Sequence, residues 1–454
     1  MRDVVVVGAG PVGLLAAGLL ARFGASVELL EAAASPLLRT RASTVTTRSM
    51  EILALHGVPR EDFERVEAGH WAGARVDLQH LDSEHAGLWR LSQPRLCATL
   101  RRWTEEAGVV HTAPWRVVDV AQDDDGVSVR SSTGESRRAR FLLGCDGADG
   151  TVRAAAGIAV RTRPARHRFL RADVQGRPVA ARRFERVGDL TVTSGPLEPG
   201  TARIMIHDRG RRTAFEADAR LVCALWHQAT GQRLDPDWLE WVEAFDDEEV
   251  VVTTLRSGRV LLAGDAVRQC LPVGGECLNA GLLDAHALAW RLSAVLAGAP
   301  SDLVDAGVAE RLAATWRGVD DVREQVDVLY GGLPPTGAPS ADRADRVAGL
   351  DLADPSADPP VGRRLADRDL VALVGPARAE VARASLREGV AVLVGEVEAE
   401  TVGGRRVRLL PRLDGGSTVV LLRPDGHPLV VHDPETALAR ALDAACPRVG
   451  VPVP

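Results

Sequence analysis

The segment GAGPVG, residues 8–13, constrains the fold of this chain more than any other feature. It follows a short apolar, β-branched run and precedes LLAAGLLARFG, after which SVELLE ends at Glu31. Strand, glycine turn, helix and second strand within about thirty residues predict one βαβ unit. Gly8, Gly10 and Gly13 would allow a tight turn, close approach of the backbone to a pyrophosphate, and close helix packing. Glu31 stands where an acidic residue would bind a ribose, so this unit predicts a dinucleotide site and leaves NAD and FAD open.

Two later motifs extend the nucleotide-binding pattern. In GCDGADGTVR, Asp146 and Gly147 follow an apolar strand run, and in LLAGDA, Asp265 ends another. An isolated Asp-Gly is commonly a hairpin turn. Because the three motifs occur in this order, we interpret them together as one nucleotide-binding domain with carboxylates at its strand ends.

The remaining pattern predicts further helices and strands. Helical spacing is found in TRSMEILALHG, in the segment that carries Leu96, Leu100 and Trp103 on one face, in WLEWVEAF, in the apolar run from Gly281, and in a longer region ending near Tyr330. Strand patterns are found in WRVVDVAQ, GVSVRSS, RRARFLLG, DLTVTSG, TARIMIHD and SGRVLLAGDA.

These elements predict an α/β protein with a Rossmann-like nucleotide-binding domain and an inserted β-rich substrate domain. The nucleotide-binding domain is expected at residues 1–70, 90–160 and 255–330, and the substrate domain at residues 71–89 and 161–254. Residues 331–362, rich in Pro, Asp and Ala, are predicted to be a linker. Residues 363–454 would form a small α/β appendage.

Composition and charge exclude several partner classes. A formal net charge of −7 and a pI of about 5.9 give no broad positive field, so we expect no nucleic-acid partner. The six cysteines form no CxxC or Cys/His metal spacing, so we expect no metal and a reducing, cytoplasmic setting. The apolar start contains glycines and has no basic leader, which argues against a signal or membrane segment. We expect a monomer or a homodimer.

These motifs resemble the FAD-dependent aromatic hydroxylases of the para-hydroxybenzoate hydroxylase type, in particular the aromatic polyketide hydroxylases of actinobacterial antibiotic pathways. The resemblance covers nearly the whole chain, and it implies that the C-terminal appendage, with LLRPDGHPL, is a thioredoxin-like domain without its redox cysteines. It implies FAD as cofactor, with NADPH or NADH as a transient reductant that has no separate Rossmann domain.

The resemblance also implies roles for individual residues. Gly8, Gly10, Gly13 and Glu31 match the residues that hold the ADP part of FAD, and Arg41 matches an arginine beside the phosphates. The remaining matches are with residues around the ribityl chain, the adenine and the flavin ring, namely Gln93, Val117, Asp146, Asp265, Pro272, Gly275, Leu278 and Asn279. Backbone N–H groups of Leu278 and Asn279, at a helix start, would face the flavin O2, where a helix N-terminus stabilises negative charge.

Four residues depart from the family pattern in GDAVRQCLPVGGECLNAG, residues 264–281. Val267 replaces a histidine, Leu271 a proline, and Glu276-Cys277 a Gln-Gly pair. If position 277 needs a positive φ, Cys277 would be strained. Cys277 is a candidate for thiol chemistry or a covalent flavin link, but a small apolar packing residue is the favoured interpretation.

Arg268 is a candidate for binding an acidic substrate or the nicotinamide nucleotide, although a solvent-facing charge is favoured. His207 and His227 could line a substrate cavity, but surface or hydrogen-bonded core positions are favoured. Trp71, Trp89 and Trp226 could stack on a flat substrate, although most tryptophans simply pack. The sequence identifies no catalytic acid or base.

The function implied by the resemblance is a monooxygenase acting on an aromatic polyketide through a C4a-hydroperoxyflavin, with O2 as co-substrate. Baeyer–Villiger oxygenation of the same substrate class is one alternative. A flavin-bound dehydratase or isomerase without oxygenation, or a degenerate partner subunit, is another, and the exchanged residues of segment 264–281 motivate it.

Overall fold

The computed structural model describes residues 1–35, 42–81, 83–210, 217–331, 346–348, 382 and five C-terminal strands. The strands in chain order are β1 Arg2–Val7, β2 Val27–Leu30, β3 Thr44–Thr46, β4 Glu64–Val66, β5 Ala68–Trp71, β6 Ala74–Asp77, β7 Leu88–Arg90, β8 Val110–Thr112, β9 Val117–Gln122, β10 Val127–Ser131, β11 Ser136–Gly144, β12 Val160–Arg163, β13 Arg168–Gln175, β14 Arg182–Val187, β15 Leu190–Glu198, β16 Thr201–Asp208, β17 Leu239–Asp246, β18 Glu249–Val252, β19 Arg256–Ser257, β20 Val260–Leu262, β21 Arg268–Gln269, β22 Ala391–Val394, β23 Thr401–Val402, β24 Arg405–Leu410, β25 Val419–Leu422 and β26 Pro428–Val431.

The helices are α1 Pro11–Arg22, α2 Thr47–Leu55, α3 Gln93–Glu106, α4 Thr151–Ala155, α5 Ala219–Thr230, α6 Glu276–Leu296 and α7 Asp302–Leu329. Short 3-10 turns lie at Pro236–Trp238, Gly264–Ala266 and Val273–Gly275. Among the described residues, no helix combines the length and apolar composition needed to cross a membrane.

A parallel sheet forms the centre of the nucleotide-binding domain. Its strand order is β20-β11-β1-β2-β8, with β19 antiparallel at one edge and β9 and β10 forming a meander beside β11. The inner strands are almost continuously apolar because helices cover both faces of such a sheet. The carboxyl ends of β1, β2, β11 and β20 therefore lie along one edge, which is where an open α/β sheet binds its ligand.

Helix packing on this sheet depends on a close approach between α1 and α3. A Cβ atom added at Gly18 would lie 2.0 Å from Cζ3 of Trp103, so the tryptophan ring packs directly on the α1 backbone. Leu96, Leu100 and Trp103 form the buried face of α3, which confirms the predicted helix. α1 also packs along α6, and this contact brings the N-terminal and C-terminal parts of the domain together.

A five-stranded antiparallel sheet, with order β14-β15-β16-β13-β17, lies between β11 and β20 in the chain. One face packs on α5 through alternate residues such as Leu170, Ala172 and Ile204. The opposite face carries the intervening residues, among them Phe169 and Met205.

The prediction that WLEWVEAF is helical was wrong. Residues Leu239–Asp246 form β17, which pairs with β13 in antiparallel register. An apolar run this short satisfies helical spacing and two-residue alternation alike, and here the free edge of β13 supplies backbone partners.

The chain enters the five-stranded sheet after β12 and leaves it before β18, and these two strands are neighbours. β12 pairs with β18 in antiparallel register, with Arg163 opposite Glu249, and β18 also pairs with β21. The C-terminal strands form a separate mixed sheet in the order β23-β24-β22-β25-β26.

Candidate functional site

The three glycines after β1 have three different environments. Gly8 has a φ of 100°, and its N–H donates to Leu30 O at 2.8 Å. A Cβ atom added at Gly13 would lie only 1.9 Å from Gly8 O, so this position holds α1 against the turn. At Gly10, the N-cap of α1, an added Cβ would meet no described atom within 4 Å. The space in front of Gly10 is therefore open to a ligand, as binding of a pyrophosphate requires.

Glu31 lies at the end of β2 and turns its carboxylate toward the glycine turn. Oε2 accepts from the Ala9 N–H at 2.7 Å, and Oε1 accepts from the Ala33 N–H at 2.7 Å. The backbone carbonyl of Glu31 accepts from Trp115 N at 2.6 Å. This bond brings the start of β9, with the buried Val117, close to Glu31. The residues matched to the ADP part of FAD are thus gathered at one sheet edge.

Gln93 is the first residue of α3 and binds the chain beside Ala42. Its Oε1 accepts from the Ala42 N–H at 3.2 Å, and its own N–H donates to Ala42 O at 3.1 Å. Arg41, the predicted phosphate neighbour, lies outside the described residues.

Asp146 follows β11 and has one satisfied and one unsatisfied carboxylate oxygen. Oδ2 accepts from Val152 N at 3.0 Å, whereas Oδ1 is buried and has no hydrogen-bond partner among the described residues. Burial raises the pKa of this carboxyl above its usual value. A buried carboxylate oxygen without a partner fits a site for a polar ligand group, such as a hydroxyl that donates to it.

Asp265 lies in the 3-10 turn after β20 and is exposed, although Gly264 and Ala266 beside it are buried. Asp284 of α6 supports this turn by accepting from Gly264 N at 3.2 Å. Asp284 is the single acidic residue in the mainly apolar run LLDAHALAW. This pattern indicates a buried carboxylate, and the sequence analysis did not use it. Asp265 is therefore presented at the same strand edge as Asp146.

The favoured interpretation of Arg268 as a solvent-facing charge was wrong. Its side chain is 1% exposed and forms an ion pair with Asp284 at 2.5 Å. Arg268 also donates to Thr315 Oγ1 at 2.9 Å, and Arg311 binds the other oxygen of Asp284 at 2.9 Å. Both partners of Arg268, Asp284 and Thr315, are distant in sequence, so the local sequence pattern gave no indication that Arg268 is buried. The guanidinium serves to join β21, α6 and α7.

The loop Leu271–Glu276, which connects β21 to α6 and ends on the first residue of that helix, contains two left-handed residues. Gly274 has a φ of 71° and Gly275 a φ of 76°, values that favour glycine. Cys277 lies in the first turn of α6, so the conditional expectation of strain at Cys277 does not hold. α6 begins at Glu276 rather than near Gly281 because Gly275 caps it. The N-cap residue Gly275 has no side chain that could cap this helix, so the N–H of Leu278 in the first turn can face an anionic group.

Asn279 lies in the first turn of α6, and its side chain forms hydrogen bonds with β3 and with Gly275. Oδ1 accepts from Thr46 N at 2.9 Å, and Nδ2 donates to Thr44 O at 3.1 Å and to Gly275 O at 2.8 Å. Asn279 is 2% exposed. The side chain therefore joins β3 to the start of α6, a role that the sequence did not reveal because Thr46 is 233 residues away.

A cavity lies between this loop and the five-stranded sheet. Pro272 and Gly274 form one wall. The rings that line the cavity are those of Phe169, Phe184, Phe245 and Tyr330. Its polar side chains include His70 and Thr193. A lining made mainly of aromatic and aliphatic side chains suits a flat apolar ligand.

Sequence analysis missed these lining residues, although alternation along the strands could have found them. Phe169 alternates with Leu170 of the α5-facing core, and Phe245 alternates with Ala244 in the same way. Phe184 is one of two described non-glycine residues with positive φ, at 47°.

The histidines and tryptophans considered earlier lie outside the cavity lining. His207 is a hydrogen-bonded core residue, with Nε2 3.2 Å from Nδ1 of His167, and His227 is exposed at the end of α5. Trp71 and Trp226 are buried, and Trp89 donates to His85 O at 2.9 Å. The favoured interpretations as packing or surface residues hold for these positions.

His70 and Tyr330 both line the cavity and have shifted pKa values, and burial raises the pKa of Tyr330 above its usual value. Burial, together with the positive charge of Arg183, lowers the pKa of His70 from 6.5 to about 4. Its Nδ1 is buried and has no hydrogen-bond partner among the described residues. At neutral pH this imidazole is therefore uncharged and can hydrogen-bond a ligand in the cavity.

The FAD binding domain family model matches residues 1–322, and the chain belongs to this family. The open space at Gly10, the unsatisfied oxygen of Asp146 and the uncapped start of α6 all fit FAD. The predicted resemblance and the predicted cofactor are confirmed.

The similarity to individual relatives extends over most of the chain. A 12-dehydrotetracycline 5-monooxygenase/anhydrotetracycline 6-monooxygenase of Streptomyces rimosus is 30% identical over 99% of both chains. A dialkyldecalin synthase of Streptomyces rugosporus is 29% identical over 94% of this chain and 95% of its own. The crystal structure of an aromatic hydroxylase from angucycline biosynthesis has a TM-score of 0.82 and 28% identity, covering 98% of this chain and 99% of that one.

Proposed function

We propose that this chain is an FAD-dependent monooxygenase that consumes NADPH or NADH and hydroxylates an aromatic polyketide intermediate of antibiotic biosynthesis. The observation that carries the proposal is the aromatic cavity whose wall is the loop Leu271–Glu276. That loop leads directly into the uncapped first turn of α6. A flat substrate in the cavity would lie beside the segment that is matched to the flavin ring.

The residues that would hold FAD are distributed along the carboxyl edge of the parallel sheet. Gly10 and Glu31 would receive the ADP part, and Asp146 and Asp265 the middle of the cofactor. Backbone N–H groups of Leu278 and Asn279 would receive the ring. When bound, FAD would accept two electrons from the nicotinamide nucleotide and would activate O2.

The protein's own contribution is to exclude water and to orient the substrate. Phe169, Phe245 and Tyr330 give the cavity an apolar lining that surrounds a polycyclic ligand. Neutral His70 would accept a hydrogen bond from a substrate hydroxyl, which positions the ring against Pro272. Because the pKa of His70 is lowered to about 4, it is a weak base, and a positioning role suits it better than proton abstraction.

Two further parts of the chain have separate roles in this proposed function. We infer that residues 71–89 and 161–254 act as a substrate domain, since the sheet of the second segment supplies Phe169, Phe184 and Phe245 to the cavity. We infer that the C-terminal strands belong to a thioredoxin-like domain. The parallel pairing of β22 with β24 and the antiparallel pairing of β22 with β25 and of β25 with β26 support this inference. A cytoplasmic setting and a monomer or homodimer remain our predictions.

A second candidate function is a ring closure or isomerisation that retains FAD without oxygenation. The relative named a dialkyldecalin synthase favours it, since that similarity spans 94% of this chain. The exchanges at Val267, Leu271 and Glu276-Cys277 are compatible with either function. FAD would then serve as part of the cavity wall.

Two measurements separate these functions. A visible flavin spectrum that NADPH bleaches without oxygen, and bleaches faster with a polycyclic phenol, is expected for the monooxygenase. Turnover under ¹⁸O₂ should then add one labelled oxygen to the product, and a ring-expanded ester would identify Baeyer–Villiger chemistry. A product isomeric with its substrate, without NADPH consumption, would instead establish the second candidate. A colourless protein that cannot be loaded with FAD would exclude both.

The role of His70 is tested by His70→Phe and His70→Asn. If His70 positions a hydroxyl, His70→Phe should raise KM for a phenolic substrate about ten-fold, corresponding to one lost hydrogen bond. His70→Asn retains a hydrogen-bonding side chain and should recover part of the loss. Equal KM values for the wild type and His70→Phe would contradict this role.

A further inference from the structure

Two cysteines face each other across the base of the loop Leu271–Glu276. The Sγ atoms of Cys270 and Cys277 lie 3.3 Å apart, and Cys277 Sγ lies 3.7 Å from Cys270 O. Both thiols are free. Since a disulfide bond measures about 2.0 Å, the sulfur atoms need to approach by only about 1.3 Å to become bonded.

The loop geometry explains why these thiols meet although six residues separate them. Cys270 directly follows β21, and Cys277 lies in the first turn of α6. Gly274 and Gly275, with φ of 71° and 76°, turn the chain back so that the two ends of the loop come together. Spacing alone did not suggest a redox pair because the sequence contains no CxxC motif.

The two thiols differ in access. Cys277 is partly exposed, whereas Cys270 is 7% exposed and packs among Phe169, Leu271 and other apolar residues. The hydrogen bond with Cys277, followed by burial, raises the pKa of the Cys270 thiol well above its usual value. Cys277 is therefore the thiol that a dissolved oxidant reaches first, and Cys270 is the neighbour that can complete the bond.

We propose that Cys270 and Cys277 form a reversible redox pair that a peroxide closes to a disulfide. The peroxide oxygen is transferred to Cys277 Sγ, giving a sulfenic acid and releasing one water. Cys270 Sγ then attacks this sulfur, the S–O bond breaks, and a second water leaves. In total the two thiols lose two electrons and two protons, and one hydrogen peroxide becomes two waters. A dithiol reductant reverses the change by thiol–disulfide exchange.

The closed pair would tie together both ends of the loop that carries Pro272 and Gly275. This consequence, which rests on the proposed function, is that oxidation fixes the part of the cavity wall next to the flavin. The formation of the disulfide does not depend on flavin binding, so failure of the redox pair and failure of the proposed function give separate results.

The full-length protein provides a direct test because the chain contains no lysine. Trypsin releases residues 269–291 as one peptide that contains both cysteines, and a Glu-specific protease cuts this peptide once, after Glu276. After treatment with hydrogen peroxide and alkylation in denaturant, we expect this peptide to be unalkylated and two hydrogens lighter than its reduced form. The fragments from cleavage after Glu276 should stay joined until dithiothreitol is added.

Variants identify the order of reaction. In Cys270→Ser, Cys277 should stop at the sulfenic acid and become labelled by dimedone, whereas the wild type should show little label. Cys223→Ser, which removes a buried thiol on α5, is the matched control and should retain the joined fragments. Two alkylated cysteines in the peroxide-treated wild-type peptide would overturn the proposal, and this measurement requires no variant to fold.

Discussion

Arg268 and Asp284 form an ion pair inside the protein, with both side chains at most 1% exposed. Asp284 also accepts from Arg311 at 2.9 Å and from Gly264 N at 3.2 Å. A carboxylate with this many donors holds the turn that contains Asp265 in place and connects it to α6 and α7. The buried charges of Arg268 and Asp284 therefore stabilise the turn beside the cofactor site and do not line the site itself.

Asp284→Asn should therefore lower the free energy of unfolding by about 3–5 kcal/mol, because it leaves two buried guanidinium groups without their counter-ion. Chemical denaturation of the apoprotein measures this loss. Asp305→Asn is the matched control: it removes an acid that is 60% exposed and pairs with Arg256, so its cost should stay below about 1 kcal/mol. Similar losses for both variants would contradict the role assigned to Asp284.

Alanine at Gly10 should weaken FAD binding without disturbing the fold, whereas alanine at Gly13 should lower the stability of the fold. Gly10 has an ordinary φ of −72°, and an added Cβ meets no described atom, so Gly10→Ala should fold normally. The dissociation constant for FAD should nevertheless rise at least about ten-fold, since the methyl group fills space expected for the pyrophosphate. Gly13→Ala should cost about 3 kcal/mol of stability because its Cβ overlaps Gly8 O. FAD titration and urea denaturation distinguish the two effects, and a Gly10→Ala protein with wild-type FAD affinity would move the site elsewhere.

Phe184 projects its ring into the cavity from a strained backbone. Its φ of 47° is unfavourable for any residue with a Cβ, and its N–H donates to Thr193 Oγ1 at 3.2 Å. Phe184→Gly should be more stable than Phe184→Ala by about 1 kcal/mol, since both remove the ring and only glycine accepts this φ without cost. Urea denaturation of the two variants measures the difference. Equal stability would mean that the backbone at this position is relaxed.

Lowering the pH should destabilise the protein through His207. Burial, the neighbouring His167 and the charges of Arg209 and Arg186 lower the pKa of His207 from 6.5 to about 3. Between these values the unfolded chain binds a proton that the folded protein does not, so the free energy of unfolding falls as the pH drops below 6.5. At pH 5 this amounts to about 2 kcal/mol relative to pH 8. His207→Gln should flatten the pH dependence, and the exposed His227→Gln controls for the removal of one histidine. An unchanged pH dependence in His207→Gln would contradict the assignment.

The sequence was sufficient for the parts of the site that depend on local backbone geometry. Gly8, Gly13 and Glu31 act within one βαβ unit, so their spacing alone indicates how the chain turns. Asn279 could be placed at a helix start, but its bonds to Thr44 and Thr46 depend on a strand more than 200 residues away. The same limit applies to Arg268, whose burial is determined by residues on α6 and α7.

The cavity was the least predictable part because it is made by one face of a sheet. Alternation correctly identified β15 and β16, yet it could not tell which face meets α5 and which meets the loop Leu271–Glu276. In WLEWVEAF the aromatic residues fit both the helical and the strand periodicity, and this segment forms a strand because it pairs with the edge of β13.

The pairing of β12 with β18 makes the intervening segment a removable module. Because Arg163 stands opposite Glu249, a tight hairpin could join these strands directly and bypass everything between them. Such a shortened chain would retain every residue matched to FAD while losing five of the eleven residues that line the cavity. We therefore expect the segment between β12 and β18 to be replaceable without loss of the residues that would hold FAD.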